Sequence, residues 1–419
     1  MIESKGGDKN PIIARYSIDE GIKLDNYNSY YIAGANGSRD SYIQNKGRKL
    51  LINSELPKKI NLRQSDDIIP HCLPSLCGAG GVLIASDSIR HSFILYDCTN
   101  KAKSYETYPL EGGFIRDASD PVWDGLFFNV ILKNKIYRYG LSRLSELREH
   151  CFQYTNYDID EKIQNPLVIF NNEQRLLAFA TKQKMFVCDI SNYKGEKKPH
   201  EIELKHKEIF PLLQYKDKII AVSKRGGIYK VDINNPIELS PLFGAEEYEF
   251  SMISYPIILR DNLYYLFKNK NDDNKFYIRC FNLDKNSERN TEINTNGYSY
   301  SERFLLHDGY RIILKNNFGD NNYLKINENG IANEIKIPRD NEGFTINIDD
   351  FIIYDNKIYS FEETRRTIYV ADMKTLQYNA SMNISYNMAE DIKPLSNITF
   401  FDGIIALMTD TGIFLNKVG

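Results

Sequence analysis

The chain has 419 residues, of which 42% are hydrophobic and 12% aromatic, and its formal net charge is −3. A disordered chain is poorer in apolar and aromatic residues, so this composition indicates a folded protein. The nearly balanced charge provides no overall basic character for binding a polyphosphate, and we therefore expect no nucleic-acid partner.

The sequence also argues against membrane and secretory classes. No window of about 18 consecutive apolar residues is present, so we expect no membrane span. The first twenty residues, MIESKGGDKNPIIARYSIDE, lack the apolar core of a signal peptide. Six cysteines in a chain of this length do not suggest a disulfide framework. We expect a cytoplasmic protein with reduced cysteines.

One unit recurs along the chain: an apolar strand, a tight polar turn and a second apolar strand. The turns lie about 45 residues apart, a spacing typical of four-stranded repeat units. Asp-Gly and Asn-Gly pairs suit such turns because they tolerate positive φ. In chain order the turns are Gly80-Gly81, Asp124-Gly125, Asn171-Asn172, Asp217-Lys218, Asp261-Asn262, Asp308-Gly309, Asp355-Asn356 and Asp402-Gly403.

A third strand follows each second strand after a polar hairpin, and it keeps a nearly constant offset from the turn. Most copies combine an aromatic residue with alternating apolar residues and end in Asp or Asn. The copies read FILYD, IYRYG, MFVCD, IYKVD, YIRCFN, YLKIN, IYVAD and IFLNK. A weaker ninth copy surrounds Asn36-Gly37. The segment LSRLSELREHCF (141–152) is either a helical decoration or an irregular outer strand.

These repeats predict an all-β fold, a closed β-propeller of four-stranded antiparallel blades, because stacked repeats of this size bury their faces against one another. We predict about eight blades, with seven or nine as alternatives. A pair of β-sandwiches is the competing fold, but it needs no long period. Residues 1–419 are predicted to be one domain. The alternating segment PIIARYSI (residues 11–18) is predicted to close the ring against the C-terminal blade, which otherwise leaves an unpaired edge.

The units resemble blades of the kelch and quinoprotein-like type. The resemblance lies in segments such as IIYDNKIYSF, where Asp-Asn separates two apolar strands, and in third strands such as IYVAD. The double glycine that kelch blades carry after the second strand is absent, and those positions include Lys224-Arg225 and Glu362-Glu363. The resemblance implies a shared fold and no particular activity.

Conventional catalytic and metal motifs are missing. The segment HCLPSLC places His71, Cys72 and Cys77 near one another, but their spacing is wider than that of zinc-binding pairs, so we expect ordinary packing. There is no nucleophile elbow and no phosphate-binding glycine loop. We therefore predict no catalytic residue, metal or cofactor from sequence motifs.

The polar hairpins between second and third strands are the predicted binding elements, since in a propeller they recur on one face. We select Lys224, Arg225, Arg365 and Arg366, because arginine is enriched at interfaces. Trp123 is either an exposed aromatic anchor or buried between blades. The sequence thus favours a non-catalytic scaffold for a protein partner in a multi-component system. The alternatives are an enzyme with its site at the central channel mouth, a hydrolase or lyase, and a module that binds glycans or small ligands.

Overall fold

The structure is a computed structural model. It describes residues 42–43, 58–61 and 75–418, except for residues 80, 99–100, 107–109, 111–114, 125–126, 134, 142–146, 154–162, 164–165, 172–173, 182–183, 192–198, 204–208, 210–211, 217, 234–237, 244–249, 253, 255, 270–271, 294–299, 308–311, 317–321, 327–331, 337–350, 355–356, 363–366, 373–374, 376–377, 384–395 and 397.

Eight sheets follow one another along the described ranges, and we number them in chain order and name their strands A to D. Within each sheet, each of strands A to D pairs antiparallel with the next, and in sheets 1 to 7 this order is also the order in the sequence, so these sheets are four-stranded meanders. Strands A to D of sheet 1 are Leu76–Ala79, Val82–Asp87, Ser92–Asp97 and Lys103–Glu106, and those of sheet 2 are Val122–Trp123, Phe128–Leu132, Lys135–Leu141 and Leu147–Gln153. Strands A to D of sheet 3 are Leu167–Asn171, Gln174–Ala180, Lys184–Asp189 and His200–Glu203, and those of sheet 4 are Leu213–Tyr215, Lys218–Val222, Ile228–Asp232 and Glu238–Phe243.

The second half of the chain repeats this pattern. Strands A to D of sheet 5 are Ile257–Leu259, Asn262–Asn269, Asp272–Asn282 and Ser287–Ile293, and those of sheet 6 are Tyr300–His307, Ile312–Asn316, Asn322–Ile326 and Ala332–Lys336. Strands A to D of sheet 7 are Phe351–Tyr354, Lys357–Glu362, Thr367–Asp372 and Tyr378–Asn383. Sheet 8 consists of Thr399–Phe401, Ile404–Thr409, Gly412–Lys417 and, as strand D from the N-terminal part of the chain, Lys59–Ile60. The four-stranded antiparallel units predicted from the repeat are confirmed.

Three short elements lie outside the meanders. Phe250–Met252 also pairs with strand B of sheet 5. Tyr42–Ile43 runs parallel to strand A of sheet 7. Residues Ile115–Asp117 form a single 3-10 turn, and no helix in the described ranges is long and apolar enough to span a membrane. Residues 147–152 of the ambiguous segment belong to strand D of sheet 2 and therefore to an outer strand, Leu141 ends strand C, and residues 142–146 lie outside the described residues.

The A–B turn of sheet 8 has the predicted chemistry, whereas those of sheets 4 and 5 start one residue earlier and the predicted turn residue Asn171 of sheet 3 is the last residue of strand A. Asp402 and Gly403 have φ angles of 48° and 77°, and they join Phe401 to its partner Ile404 in a two-residue turn. In sheets 4 and 5 the positive φ falls on Lys216 and Arg260. Those turns start one residue before the predicted Asp217-Lys218 and Asp261-Asn262 pairs.

Buried side chains join neighbouring sheets face to face. One core spans sheets 1 to 4, a second joins sheets 4 and 5, and a third joins sheets 7 and 8. A fourth core joins sheet 8 back to sheet 1, with Phe401 and Met408 packed among residues such as Leu83 and Tyr96. Strands A of sheets 8 and 1 lie beside each other, as do those of sheets 2 and 3, 3 and 4, and 4 and 5. The first and last sheets of the chain are therefore in contact.

The free edge of the last strand is covered by Lys59–Ile60. These two residues pair with Phe414 and Ile413, and Leu415 donates its backbone N–H to the carbonyl of Lys58 over 2.9 Å. The predicted closing segment, residues 11–18, lies outside the described residues. The edge at residues 413–415 is already occupied, so those positions are not available to it.

Candidate protein-binding surface

The predicted binding residues Lys224 and Arg225 lie side by side in the hairpin between strands B and C of sheet 4. Both side chains are exposed, whereas the flanking Ser223, Gly226 and Gly227 are buried. We call residues 223–227 the sheet 4 hairpin. It therefore presents two adjacent cationic side chains to solvent on a buried backbone.

Ser223 fixes the shape of the sheet 4 hairpin. Its N–H donates to the carbonyl of Gly227 over 2.8 Å, and its carbonyl accepts from Gly226 N–H at 2.9 Å. Its hydroxyl accepts from Gly227 N–H at 2.9 Å. Gly226 has a φ of 90°, a conformation that L side chains rarely adopt. The hairpin is thus held by three bonds from one residue and by one glycine.

Sheet 5 contacts the sheet 4 hairpin through a hydrogen bond to its backbone. The hydroxyl of Tyr265, in strand B of sheet 5, donates to the carbonyl of Gly226 over 3.4 Å. The same hydroxyl accepts a 3.0 Å bond from Nη1 of Arg279, in strand C. Tyr265 is fully buried and Arg279 is 2% exposed. The position of the sheet 4 hairpin therefore depends on two buried residues of sheet 5.

Arg279 is itself held on several sides. Its guanidinium lies over the ring of Phe267 at 4.6 Å and over that of Tyr265 at 5.6 Å, within cation–π range. Its Nε donates to Asn290 over 3.0 Å and lies 3.4 Å from a carboxylate oxygen of Glu288. This buried cation is therefore compensated by the outer strand of its own sheet.

The corresponding hairpin of sheet 1 has an apolar tip. Asp87 accepts hydrogen bonds from the backbone N–H groups of Ile89 and Arg90 at 3.0 and 3.1 Å. Ile89 is 57% exposed and is the one large apolar side chain classed as exposed among the described residues. Arg90 forms an ion pair with Glu106 of strand D, and this bond raises the pKa of Arg90.

In sheet 3 the hairpin carries another cation that pairs within its own sheet. Nζ of Lys184 lies 2.9 Å from Oε2 of Glu201, which belongs to strand D. The hydrogen bond raises the pKa of Lys184. Cations at these hairpins are thus accompanied by carboxylates of the outer strand in sheets 1 and 3.

Of the three remaining predicted site residues, the structure describes Trp123. Trp123 is 2% exposed and packs against Phe128 with ring centroids 4.7 Å apart, so it is a core residue and not a surface anchor. Its strand is two residues long and lies at the contact between sheets 2 and 3, which accounts for the burial. Arg365 and Arg366 lie outside the described residues, and their proposed role stays a prediction.

The structure also contains an ionic cluster around Asp124, which was predicted from the sequence only as a turn residue. Asp124 and Arg138 are both fully buried and form an ion pair within sheet 2. A guanidinium nitrogen of Arg175, from sheet 3, lies 3.9 Å from the same carboxylate. Burial opposes the ionisation of Asp124, but the two arginines outweigh it and lower the pKa of that carboxyl. The cluster joins two sheets, and its Asp124–Arg138 pair has no exposed surface for a partner to contact.

The cysteines that the structure describes do not form part of a metal site. Cys77 and Cys98 are buried, and burial raises the pKa of each thiol. No group of three or more His, Cys, Asp or Glu side chains in the described ranges could hold a metal ion. His71 and Cys72, considered above with Cys77, lie outside those ranges.

Comparisons with known proteins identify a fold and no family. No protein-family model matches the chain, and neither does any curated protein. Sqt1 of Saccharomyces cerevisiae has a TM-score of 0.51 at 9% identity, over 86% of this chain and 100% of that chain. BamB from Moraxella catarrhalis gives 0.49 at 10% identity, over 85% and 99%. AztD from Citrobacter koseri gives 0.46 at 12%, over 74% and 86%. Sqt1 is a β-propeller protein, and at such identity the likeness concerns the fold alone: the chain has a β-propeller-like, all-β fold.

Proposed function

We propose that the chain is a closed β-propeller of eight blades that acts as a non-catalytic scaffold and binds a protein partner through its hairpins between strands B and C. The contact between sheets 8 and 1 supports closure, because it brings the two ends of the series together. In a ring of such meanders these hairpins all emerge on one face.

The observation that carries this proposal is the sheet 4 hairpin. Interfaces gain affinity from side chains whose backbone is already ordered, since less conformational entropy is lost on binding. Lys224 and Arg225 satisfy this condition, because buried hydrogen bonds of Ser223 and the support of Tyr265 fix the backbone beneath them. Arginine is also enriched at interfaces and pairs with planar carboxylates.

The composition of the other described hairpins favours a protein partner over a polyphosphate. Exposed Ile89 lies beside Arg90, and Glu106 and Glu203 are exposed on the outer strands of sheets 1 and 3. A surface that alternates cations, carboxylates and an apolar side chain is complementary to a mixed protein surface. We extend the proposal to Arg365 and Arg366, which belong to the segment between strands B and C of sheet 7.

Affinity capture with a charge-reversed hairpin tests the proposal. The full-length protein and the variant Lys224→Glu/Arg225→Glu are used as baits in native lysate, and bound proteins are quantified by mass spectrometry. We expect recovery of a specific partner to fall by about tenfold in the variant, as for rim charges that carry recognition.

The matched control is Lys285→Glu/Arg289→Glu. It makes the same change in charge at two exposed residues, in the C–D turn and strand D of sheet 5. Both variants should melt within a few degrees of the wild type, because exposed substitutions have small effects on stability. Equal recovery by the hairpin variant and the wild type, or an equal loss with the control, contradicts the proposal.

A further inference from the structure

Sheet 7 has a fifth strand beyond its strand A, and this strand comes from the N-terminal part of the chain. Tyr42–Ile43, which we call the resident strand, runs parallel to strand A, with Tyr42 opposite Ile353 and Ile43 opposite Tyr354. Among the described residues, strand A is the terminal strand of sheets 1 to 4, 6 and 8. Sheet 7 therefore shows that the edge of a strand A can accept a further strand.

The edge that accepts the resident strand faces the axis of the proposed ring. Strands A of sheets 8 and 1 lie beside each other, and radial sheets around a central channel approach one another at their innermost strands. Lys59–Ile60 pairs at the opposite, outer side of sheet 8. Residues 44–58 lie between these two pairs and can extend to about 50 Å, whereas crossing four strand spacings takes about 19 Å. The chain is therefore long enough to pair at both edges at once.

Strand A of sheet 7 is an ordered edge. Ile352 and Tyr354 are buried, and the ring centroid of Tyr354 lies 4.4 Å from that of Phe400, in strand A of sheet 8. Four consecutive pairs with strand B fix its backbone. Such an edge is a template for a further strand, because its N–H and C=O groups are already in position to pair.

The register implies which backbone groups make the pairing. Tyr354 pairs with Lys357 next to the A–B turn, and the pair that flanks a two-residue turn exchanges both of its hydrogen bonds. The N–H and C=O of the preceding residue, Ile353, therefore point away from strand B and toward the resident strand. In a parallel ladder with this register, the N–H of Ile43 donates to the carbonyl of Ile353. The pairing thus requires the N–H of Ile43.

We propose that this edge of sheet 7 is a strand-binding site, which the resident strand occupies as a displaceable ligand and which binds an extended peptide segment of a partner by parallel pairing in its place. The described resident pair spans two residues, and each backbone hydrogen bond adds little net stability. Parallel pairing is also slightly less stable per residue than antiparallel pairing. A peptide that pairs along more of strand Phe351–Tyr354 gains bonds beyond those of the two-residue pair.

This site differs from the hairpin surface in position and in chemistry. The hairpins present charged side chains, whereas the edge recognises the backbone of an extended segment, as when a strand is added to the edge of a sheet. Proline at the pairing position is excluded because it has no N–H. The inference therefore goes beyond the proposed function and does not depend on what the hairpins bind.

Hydrogen exchange tests the backbone pairing of the resident strand. The full-length wild type is compared with Ile43→Pro, which lacks the N–H, and with Ile43→Ala, which keeps it. Deuterium uptake in a fragment containing strand Phe351–Tyr354 should rise by about one amide in Ile43→Pro and stay near the wild-type level in Ile43→Ala. Both variants should melt within a few degrees of the wild type, because the pair is only two residues long.

A peptide with the sequence of residues 38–47, SRDSYIQNKG, is the probe for the edge. It is labelled with fluorescein and titrated with each full-length protein. We expect the Ile43→Pro protein to bind it about fivefold more tightly than the wild type does, because the peptide no longer competes with the resident strand. The same peptide carrying Ile43→Pro is the matched control and should bind neither protein.

Four results would overturn the inference. They are unchanged exchange in Ile43→Pro, equal affinity of the wild type and Ile43→Pro for the peptide, equal binding of the control peptide, and raised exchange in Ile43→Pro with no peptide binding at about 1 mM. The last result would show that the resident strand is a structural contact and not a ligand. Recovery of a partner by the hairpin variants is measured separately, so none of these results bears on the proposed function.

Discussion

The carboxylate of Asp402 accepts a hydrogen bond from the backbone N–H of Gly81 over 2.7 Å, between two residues 321 positions apart in the chain. Asp402 lies in the A–B turn of sheet 8 and Gly81 in the A–B turn of sheet 1. Asp402 is 2% exposed, so water does not compete effectively for this bond. A turn residue found by its local chemistry therefore also joins the last sheet to the first.

Substitutions at Asp402 should separate its two roles. The residue has a φ of 48°, which glycine adopts easily and alanine does not. We expect Asp402→Gly to lower the free energy of unfolding by about 2 kcal/mol through loss of a buried charged hydrogen bond. Asp402→Ala should cost about 1 kcal/mol more because of backbone strain, and Asp402→Asn should cost least. Urea unfolding measures the order; equal stability of Asp402→Gly and wild type would show that the bond contributes nothing.

Gly78 and Phe401 form a second contact between the same two sheets. A Cβ atom at position 78 would lie 2.3 Å from Cγ and Cδ1 of the Phe401 ring, which is fully buried and cannot easily move. We expect Gly78→Ala to destabilise the protein by about 1–3 kcal/mol through overpacking. Adding Phe401→Leu should recover part of that loss, and a double-mutant cycle by urea unfolding measures the coupling. Strict additivity of the two substitutions would argue against the contact.

Asp124 allows a test that depends on pH. Its carboxylate is fully buried with Arg138 and lies 3.9 Å from Arg175. Asp124→Asn leaves two cations without their carboxylate, and we expect a loss of about 3–5 kcal/mol near neutral pH. The pKa of Asp124 is lowered in the folded protein relative to its ordinary value of 3.8. Its contribution to stability is therefore present above pH 3.8 and is lost as the pH falls through the lower, folded-state pKa.

The measurement is the difference in unfolding free energy between wild type and Asp124→Asn as a function of pH. The difference should stay constant from pH 8 to about pH 5 and shrink at lower pH, because protonated Asp124 resembles asparagine. Thr181→Ala, at a partly buried residue of a sheet 3 hairpin, serves as a control whose difference should not follow this curve. A gap that widened with acid would mean that Asp124 is neutral in the folded protein.

The period and the turn chemistry were enough to predict the four-stranded units. Asp402-Gly403 occupies its turn as expected, since a two-residue turn needs positive φ and these residues tolerate it. The turn of sheet 5 starts at Arg260, which no local rule for hairpins favours, so the prediction there was one residue late. Strand Leu147–Gln153 was ambiguous because LREHCFQ has little alternation.

Contacts between sheets could not be predicted from the sequence. Asp124 belongs to sheet 2 and Arg175 to sheet 3, and nothing in the spacing of these residues indicates that they meet. Lys224 and Arg225 could be selected as polar hairpin residues, but their support by Tyr265 and Arg279 comes from another sheet.

Substitutions at Trp123 test whether this residue stabilises the fold or binds a partner. The ring is 2% exposed and lies in the core shared by sheets 1 to 4. We expect Trp123→Ala to cost about 3–5 kcal/mol and Trp123→Phe to cost less, since the phenyl ring still fills part of the space. At a temperature where the variants remain folded, both should capture the partner as the wild type does. Normal stability with lost capture would restore the surface-anchor interpretation.

The pairing of Lys59–Ile60 with strand Gly412–Lys417 can be tested at Gly412 and at the N-terminus. A Cβ at position 412 would lie 2.3 Å from the backbone carbonyl oxygen of Ile60, and φ there is 153°, so alanine should push Lys59–Ile60 off the edge of strand Gly412–Lys417. We expect a clear fall in melting temperature for Gly412→Ala.

Removal of residues 1–60 should lower the melting temperature at least as much, because it exposes the same edge of strand Gly412–Lys417. Removal of residues 1–20 should produce a smaller fall if Lys59–Ile60 provides the closure, whereas equal losses from both truncations would favour a closing role for residues 11–18.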